Sequence, residues 1–191
     1  DPLAEGATAA RRAVDAAPSH AVAWFALAQA LFFLKELESF RNAAERAVAL
    51  NPMDGNSIAF LGEMLTYAGF EKRGMELAGR AKQLNPNHPG WYWYADFYDA
   101  YRQGDDRAAV NAALKVNMHA HIGAHFMMAA AYGQLGEKKA AEKALGELLA
   151  LKPDFGTVFH GMAAKWWNPN DVERLADGLR KAGLEIAAAP A

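Results

Sequence analysis

A chain of 191 residues that is 52% hydrophobic and 22% charged can bury a core and is not a disordered tail. Its formal net charge of -2, with no basic run, lacks the cationic footprint that nucleic acid demands. It contains no cysteine, which excludes disulfides and thiolate–zinc sites, and no apolar stretch reaches the ~18 residues of a membrane span.

Residues 1–18 read as one helix closed by the phrase AVDAAP at Pro18. Similar phrases, AVALNP and AKQLNP, close at Pro52 and Pro86, each 34 residues after the last. LLALKP closes at Pro153, and between them ALKVNM ends at Met118 without a proline. Each proline suits the start of a helix, where its missing N–H costs nothing. Gly69, Gly104 and Gly136 stand midway between these phrases, where one helix must stop at positive φ before the next begins. The chain therefore divides into repeats 19–52, 53–88, 89–120 and 121–153, each a helix, a tight turn and a second helix. The opening stretch 1–18 is the second helix of a truncated repeat, and 154–191 is a last helix pair with a C-terminal cap. About eleven helices and no strand are expected.

Helical periodicity supports the division. The first helices carry the stripes Trp24/Leu27/Ala28/Leu31, Ile58/Leu61/Gly62/Leu65, His125/Met128/Ala129/Tyr132 and Phe159/Met162/Ala163/Trp166. In the repeat opening near Gly90, Trp93 and Phe97 take this part, interrupted by Asp96 and Ala100. The second helices are rich in alanine (Ala44, Ala47, Ala78, Ala81, Ala109, Ala113, Ala140, Ala141, Ala144), which lets paired helices approach closely. Phe40 before Ala44 exchanges large for small at one packing site. In the tail, Asn170 is positioned to cap a helix, with Glu173 completing a capping box. Val172, Leu175, Leu179 and Ala182 form its apolar stripe, and Gly183 stops it. Glu173, Arg174, Asp177, Arg180 and Lys181 fall on the other face. Such a helix is expected to seal the last repeat over Phe159, Met162 and Trp166.

These residues resemble the tetratricopeptide repeat family, whose signature runs early Trp, Leu-Gly, Tyr, then Ala, Phe or Tyr, Ala and a closing Pro. Trp24, Leu61–Gly62, Trp93, Tyr132, Ala47, Ala81, Ala141 and the prolines carry the match, which is weakest over 104–122. The resemblance implies an all-α fold: one domain over 1–191 in which helix-turn-helix repeats build a right-handed α-α superhelix. It also implies a non-enzymatic scaffold for a protein or peptide, with no cofactor and no membrane insertion. WWNPNDVERLADGLRKAGLEI and WYWYADFYDAYRQGD are similar to tetratricopeptide tails of bacterial multidomain signalling proteins. In those proteins the tail follows a class III nucleotide cyclase, a winged-helix regulator or a Ser/Thr kinase. This chain carries no motif of those effectors. It opens at Asp1 inside a repeat, and reads as part of a longer, cytoplasmic protein.

In such an array the first helices line the concave surface, and residues one place beyond each core stripe face the groove. The candidate partner-binding residues are Phe25, Gln29, Phe32, Glu63, Trp91, Tyr94, Tyr98, Tyr101, Phe126, His160 and Trp167. Ala59, Thr66, Ala130, Gly133 and Ala164 lie between them. Aromatics with polar tips are frequent binding anchors, so the groove is centred on Trp91, Tyr94, Tyr98 and Tyr101. The alternative is that these rings pack between repeats, or bury themselves against a second copy in a homodimer. Phe25, Gln29, Ala59 and Glu63 stand where some family members hold a Lys/Asn/Arg clamp for a C-terminal carboxylate, so that clamp is not expected.

His119, His121 and His125 have metal-ligand spacing, but no carboxylate is near them in sequence, and no metal is expected. Asp96 and Asp99 lie beside tyrosines and are read as partners of phenolic hydroxyls. A remote alternative is an enzyme or metal protein using His121, His125 and Asp96. No catalytic triad order or phosphate-cradling loop is present, and the 16 glycines sit at turns and close helix contacts.

Overall fold

The computed structural model describes residues 1–187, which contain eleven α-helices, one 3-10 turn and no strand. The chain divides into two compact units, Asp1–His88 and a second that begins at Pro89.

The first unit holds α1 (Pro2–Ala16), α2 (Ala21–Phe33), α3 (Leu37–Leu50), α4 (Gly55–Tyr67) and α5 (Glu71–Leu84). Side chains satisfy the free amides at several helix starts: Asp1 accepts from Leu3 N, His20 from Ala23 N and Asp54 from Ser57 N. α4 stops at Gly69, whose φ of 89° lets Phe70 N reach back to the Leu65 carbonyl. In the preceding pair Lys35 holds the same left-handed position at φ 61°, and Glu36 N bonds the Leu31 carbonyl. α4 and α5 approach through glycine: a Cβ on Gly62 would lie 2.9 Å from the Gly74 carbonyl oxygen. Leu27, Leu31, Phe32, Phe40, Ile58, Leu61, Leu65 and Leu77 fill the core. Phe32 meets Phe40 edge-on, with ring centroids 5.4 Å apart, and Ala44 is fully buried on the same helix as Phe40.

The second unit begins with a 3-10 turn, Gly90–Trp93, followed by α6 (Tyr94–Gln103), α7 (Asp106–Val116), α8 (Ile122–Leu135), α9 (Lys138–Leu151), α10 (Phe155–Trp166) and α11 (Pro169–Lys181). Gly90 lies against the Val116 carbonyl, where any side chain would collide, so the first helix of this repeat starts late and is short. Gly104, Gly136 and Gly183 end α6, α8 and α11 at φ 81°, 71° and 101°, as the sequence indicates. α7, which lacks the closing proline, ends on Asn117 at φ 45°.

α11 departs from expectation in two ways. Its cap is Asn168, which accepts from Asp171 N at 3.1 Å, and Pro169 takes the first helical position. Proline fits there because its fixed φ is helical and no amide is needed, so the cap lies two residues before Asn170. Glu173 closes no capping box; it is exposed, 3.6 Å from Arg180. The second departure is its seat. Val172, Leu175, Leu179 and Ala182 are buried as the stripe predicts, but against α8 far more than against α10. The small residues decide this: Gly178 lies against the Ala130 carbonyl and Gly133 against the Gly178 carbonyl, so the two backbones touch.

Candidate functional site

In the first unit, the inner-face candidates divide by burial. Phe25 and Gln29 on α2 are half-buried, whereas Phe32 is 1% exposed and belongs to the core. Phe25 meets Phe60 of α4 at 5.9 Å between ring centroids, an aromatic pair that the stripe analysis missed because Phe60 precedes the core position. Glu63, on the same helix, is 7% exposed. Burial pushes its carboxyl up to about 8, only partly offset by a hydrogen bond with Tyr67. The cavity bounded by Phe25, Ile58 and Asp54 holds about 20 Å³, room for one water and no metabolite.

In the second unit, most candidates converge under α11. Tyr98 stacks on Trp167 at 6.2 Å, and Phe126 packs on Trp167 at 5.7 Å and on Phe155 at 5.9 Å. Tyr98 donates its hydroxyl hydrogen to Asp171, and Tyr101 donates to the Arg174 carbonyl at 2.9 Å. Arg174, assigned to the solvent face from sequence, turns inward. Its Nε donates to the Tyr101 carbonyl at 2.7 Å, its Nη2 pairs with Asp106 at 2.6 Å, and the guanidinium lies 4.8 Å from the Tyr101 ring centroid. Gln134 of α8 donates to the Arg174 carbonyl and to Asp177. Burial raises the Tyr101 phenol above its usual range, with Gln134 and Arg174 pulling the other way. Asp106, Gln134, Asp171 and Arg174 were invisible as site residues because amphipathicity shows which side of a helix is polar, not which polar groups find a partner.

Tyr94 lies elsewhere, its hydroxyl 2.9 Å from His121 Nδ1, and Trp91 is half-buried beside Tyr92. His160 is 8% exposed, edge-on to Phe159, in an open depression of about 700 Å³ that Lys152 and Lys165 flank. The three tyrosine hydroxyls therefore go to His121, Asp171 and the Arg174 backbone. Asp99, expected on a phenol, accepts from Gln103 at 2.7 Å instead. The histidines also separate. His121 caps α8, accepting from Gly123 N at 3.1 Å, while His125 Nε2 donates to the His119 carbonyl at 2.8 Å. His125 Nδ1 lies 3.0 Å from Glu147 of α9. Among the described residues no three His, Cys, Asp or Glu side chains gather as a metal site, and no helix is long and apolar enough to cross a membrane.

The helix pairs, their left-handed turn residues and the close glycine contacts recur in sequence and in space. A tetratricopeptide repeat model matches residues 21–53 and 122–155. The fold is that of tetratricopeptide repeats. Solved structures are similar to the chain. A chain of the APC/C hetero-tetramer Cut9-Hcn1 aligns with a TM-score of 0.72 at 18% identity, covering 97% of this chain but only 38% of that one. YrrB, a tetratricopeptide protein with an unusual peptide-binding site, aligns at 0.59 and 15% identity, over 92% of this chain and 91% of its own. MamA aligns at 0.58 and 15% identity, over 89% and 98%. No curated protein matches the chain. The two matched stretches take in the pairs α2–α3 and α8–α9.

Proposed function

We propose that this tetratricopeptide array is a non-enzymatic scaffold that holds a protein or peptide, serving as the interaction tail of a larger bacterial signalling protein. The observation that carries the reading is the half-buried Phe25–Phe60 pair on α2 and α4. It gives the first unit an aromatic anchor at the position where a first helix presents its inner side, with polar Gln29 one turn away. Rings at the edge of burial gain contact area on binding and lose little entropy. The fold shared with YrrB, described as having an unusual peptide-binding site, supports the same use here. The signalling context rests on the resemblance of residues 91–105 and 166–186.

Peptides selected from a random library against the full chain test this. Their affinity is expected to fall by about 1–3 kcal/mol on Phe25→Ala or Phe60→Ala, with the circular dichroism spectrum unchanged. A selection that returns no peptide above background would overturn it. Binders insensitive to both substitutions would move the site away from the first unit. A concentration-dependent dimer in sedimentation that is lost in the same variants would replace partner binding with self-association.

A further inference from the structure

The second unit covers its own inner face, and the way it does so specifies a ligand. α11 runs in the same sense as α6 and α8: Tyr98 and Tyr101 meet Asp171 and Arg174, while Phe126 meets Trp167 and Gln134 meets Lys181. Three features are read by the groove. The buried Asp171 carboxylate accepts the Tyr98 hydrogen. Arg174, three residues on, is held by the Tyr101 carbonyl, the Tyr101 ring and Asp106. Gly178, four residues further, has no side chain where Ala130 and Gly133 pass. Val172, Leu175 and Leu179 fill the space between, and Glu173, Arg180 and Lys181 stay in solvent.

α11 is bound to this groove more than to its chain neighbour. The backbone leaves α10 through extended residues, Trp167 at φ -118° and ψ 160° and Asn168 at φ -73° and ψ 162°. Beyond Gly183 the chain returns to the start of α10. There Ala187 N donates to the Gly156 carbonyl at 3.2 Å, and the Glu185 carbonyl lies against Gly156. A helix with an extended hinge before it and a small clasp after it is connected like a tethered ligand.

We propose that the inner face of the second unit is a docking groove for an amphipathic partner helix bearing an acid, an arginine three residues later and a small residue four residues after that, with α11 as its built-in competitor. The proposal rests on the scaffold reading and narrows it to this face and this chemistry. A partner helix with that pattern gains the contacts α11 now makes, and its apparent affinity falls by the fraction of molecules in which α11 is seated.

A labelled synthetic peptide of residues 168–187, added to the full chain, tests the proposal. Gly156→Ala loosens the clasp at a residue that makes none of the α11 contacts named above, because a Cβ there meets the Glu185 carbonyl. The variant is expected to bind the peptide at least about tenfold more tightly than the unaltered chain. The same peptide carrying Gly178→Leu is expected to bind neither. Equal affinity for both chains, or no binding to the variant, would overturn the proposal. Hydrogen exchange on the unaltered chain needs no substitution. The α11 amides are expected to exchange by local opening, about tenfold or more faster than those of α8. Exchange of α11 only with global unfolding would make it a permanent part of the core and equally sink the idea. Either failure leaves the scaffold reading standing if library peptides still depend on Phe25 and Phe60; loss of that dependence alone tells against the scaffold reading.

Discussion

Tyr98 of α6 gives its phenolic hydrogen to the carboxylate of Asp171 in α11, 73 residues further along the chain. The bond joins a first helix to the terminal helix inside a buried patch, and Asn168 is the carboxylate's second partner. Tyr98→Phe keeps the ring stacked on Trp167 but removes a donor from a buried carboxylate. It should cost about 1–3 kcal/mol of unfolding free energy in urea. Asp171→Asn in the same background should recover part of that loss, because the uncompensated charge is gone. A Tyr98→Phe chain as stable as the original would show that the hydroxyl contributes nothing.

Phe97 and Tyr98 are 1% and 2% exposed, so stability should not separate the supposed core ring from the supposed groove ring. Alanine at either site should cost about 3–5 kcal/mol by denaturation. Trp93→Ala should cost less: that ring is half-buried, and its notable contact is the Lys115 ammonium 4.0 Å from its centroid. A Trp93 variant that unfolds more readily than the other two would reverse this order.

The helix crossing at Gly133 and Gly178 leaves no room for a methyl group. Gly133→Ala or Gly178→Ala should destabilise by about 1–3 kcal/mol through overpacking. Gly146, in the interior of α9, has nothing within 4 Å of the place its Cβ would occupy. Gly146→Ala should stabilise by about 0.5–1 kcal/mol by stiffening the unfolded chain. Melting all three side by side checks the claim, and opposite signs are the expected result.

Glu63 holds its proton to about pH 8 in the folded chain but releases it near 4.5 when unfolded. Between those values the folded state binds the extra proton, so stability should fall as pH rises, by up to about 1.4 kcal/mol per pH unit from this group. Below about 4.5 both states are protonated and the slope from this group disappears. Glu63→Gln should flatten the profile and leave the chain more stable than the original at pH 8. Parallel profiles for the two proteins from pH 5 to 8 would place the Glu63 carboxyl in water.

The periodic features were legible in sequence because they depend on local chemistry. Gly69, Gly104, Gly136 and Gly183 all end helices at positive φ, and only a residue without Cβ adopts that conformation cheaply. Lys35 was not legible as a turn residue for the same reason: a lysine there gives no composition signal. The late start of α6 depends on Gly90 meeting Val116, a contact 26 positions away that no local pattern encodes. The α11 stripe was read correctly as Val172, Leu175, Leu179 and Ala182, yet its seat was not. A stripe tells that a face is buried, whereas Gly178, Gly133 and Ala130 tell what it is buried against, and they lie on two different helices. The aromatic candidates Tyr98, Tyr101, Phe126 and Trp167 are buried together, and Tyr98 and Tyr101 bond to Asp171 and Arg174 of α11, a pairing across 73 residues that no local pattern encodes.

The return of the chain from Gly183 to α10 has a mechanical consequence. Among the described residues, a pull from beyond Ala187 meets the Ala187–Gly156 bond and the buried Leu184 before it reaches any helix pair. Load is then passed to α11 from its last turn, so its contacts with α8 would be peeled one after another from Ala182 towards Trp167 rather than sheared together. Peeling needs far less force than shearing, and tension on this end would lift α11 while the glycine-locked α4–α5 pair and the α8–α9 pair stay folded. The inner face of the second unit would then respond to tension as well as to competing helices.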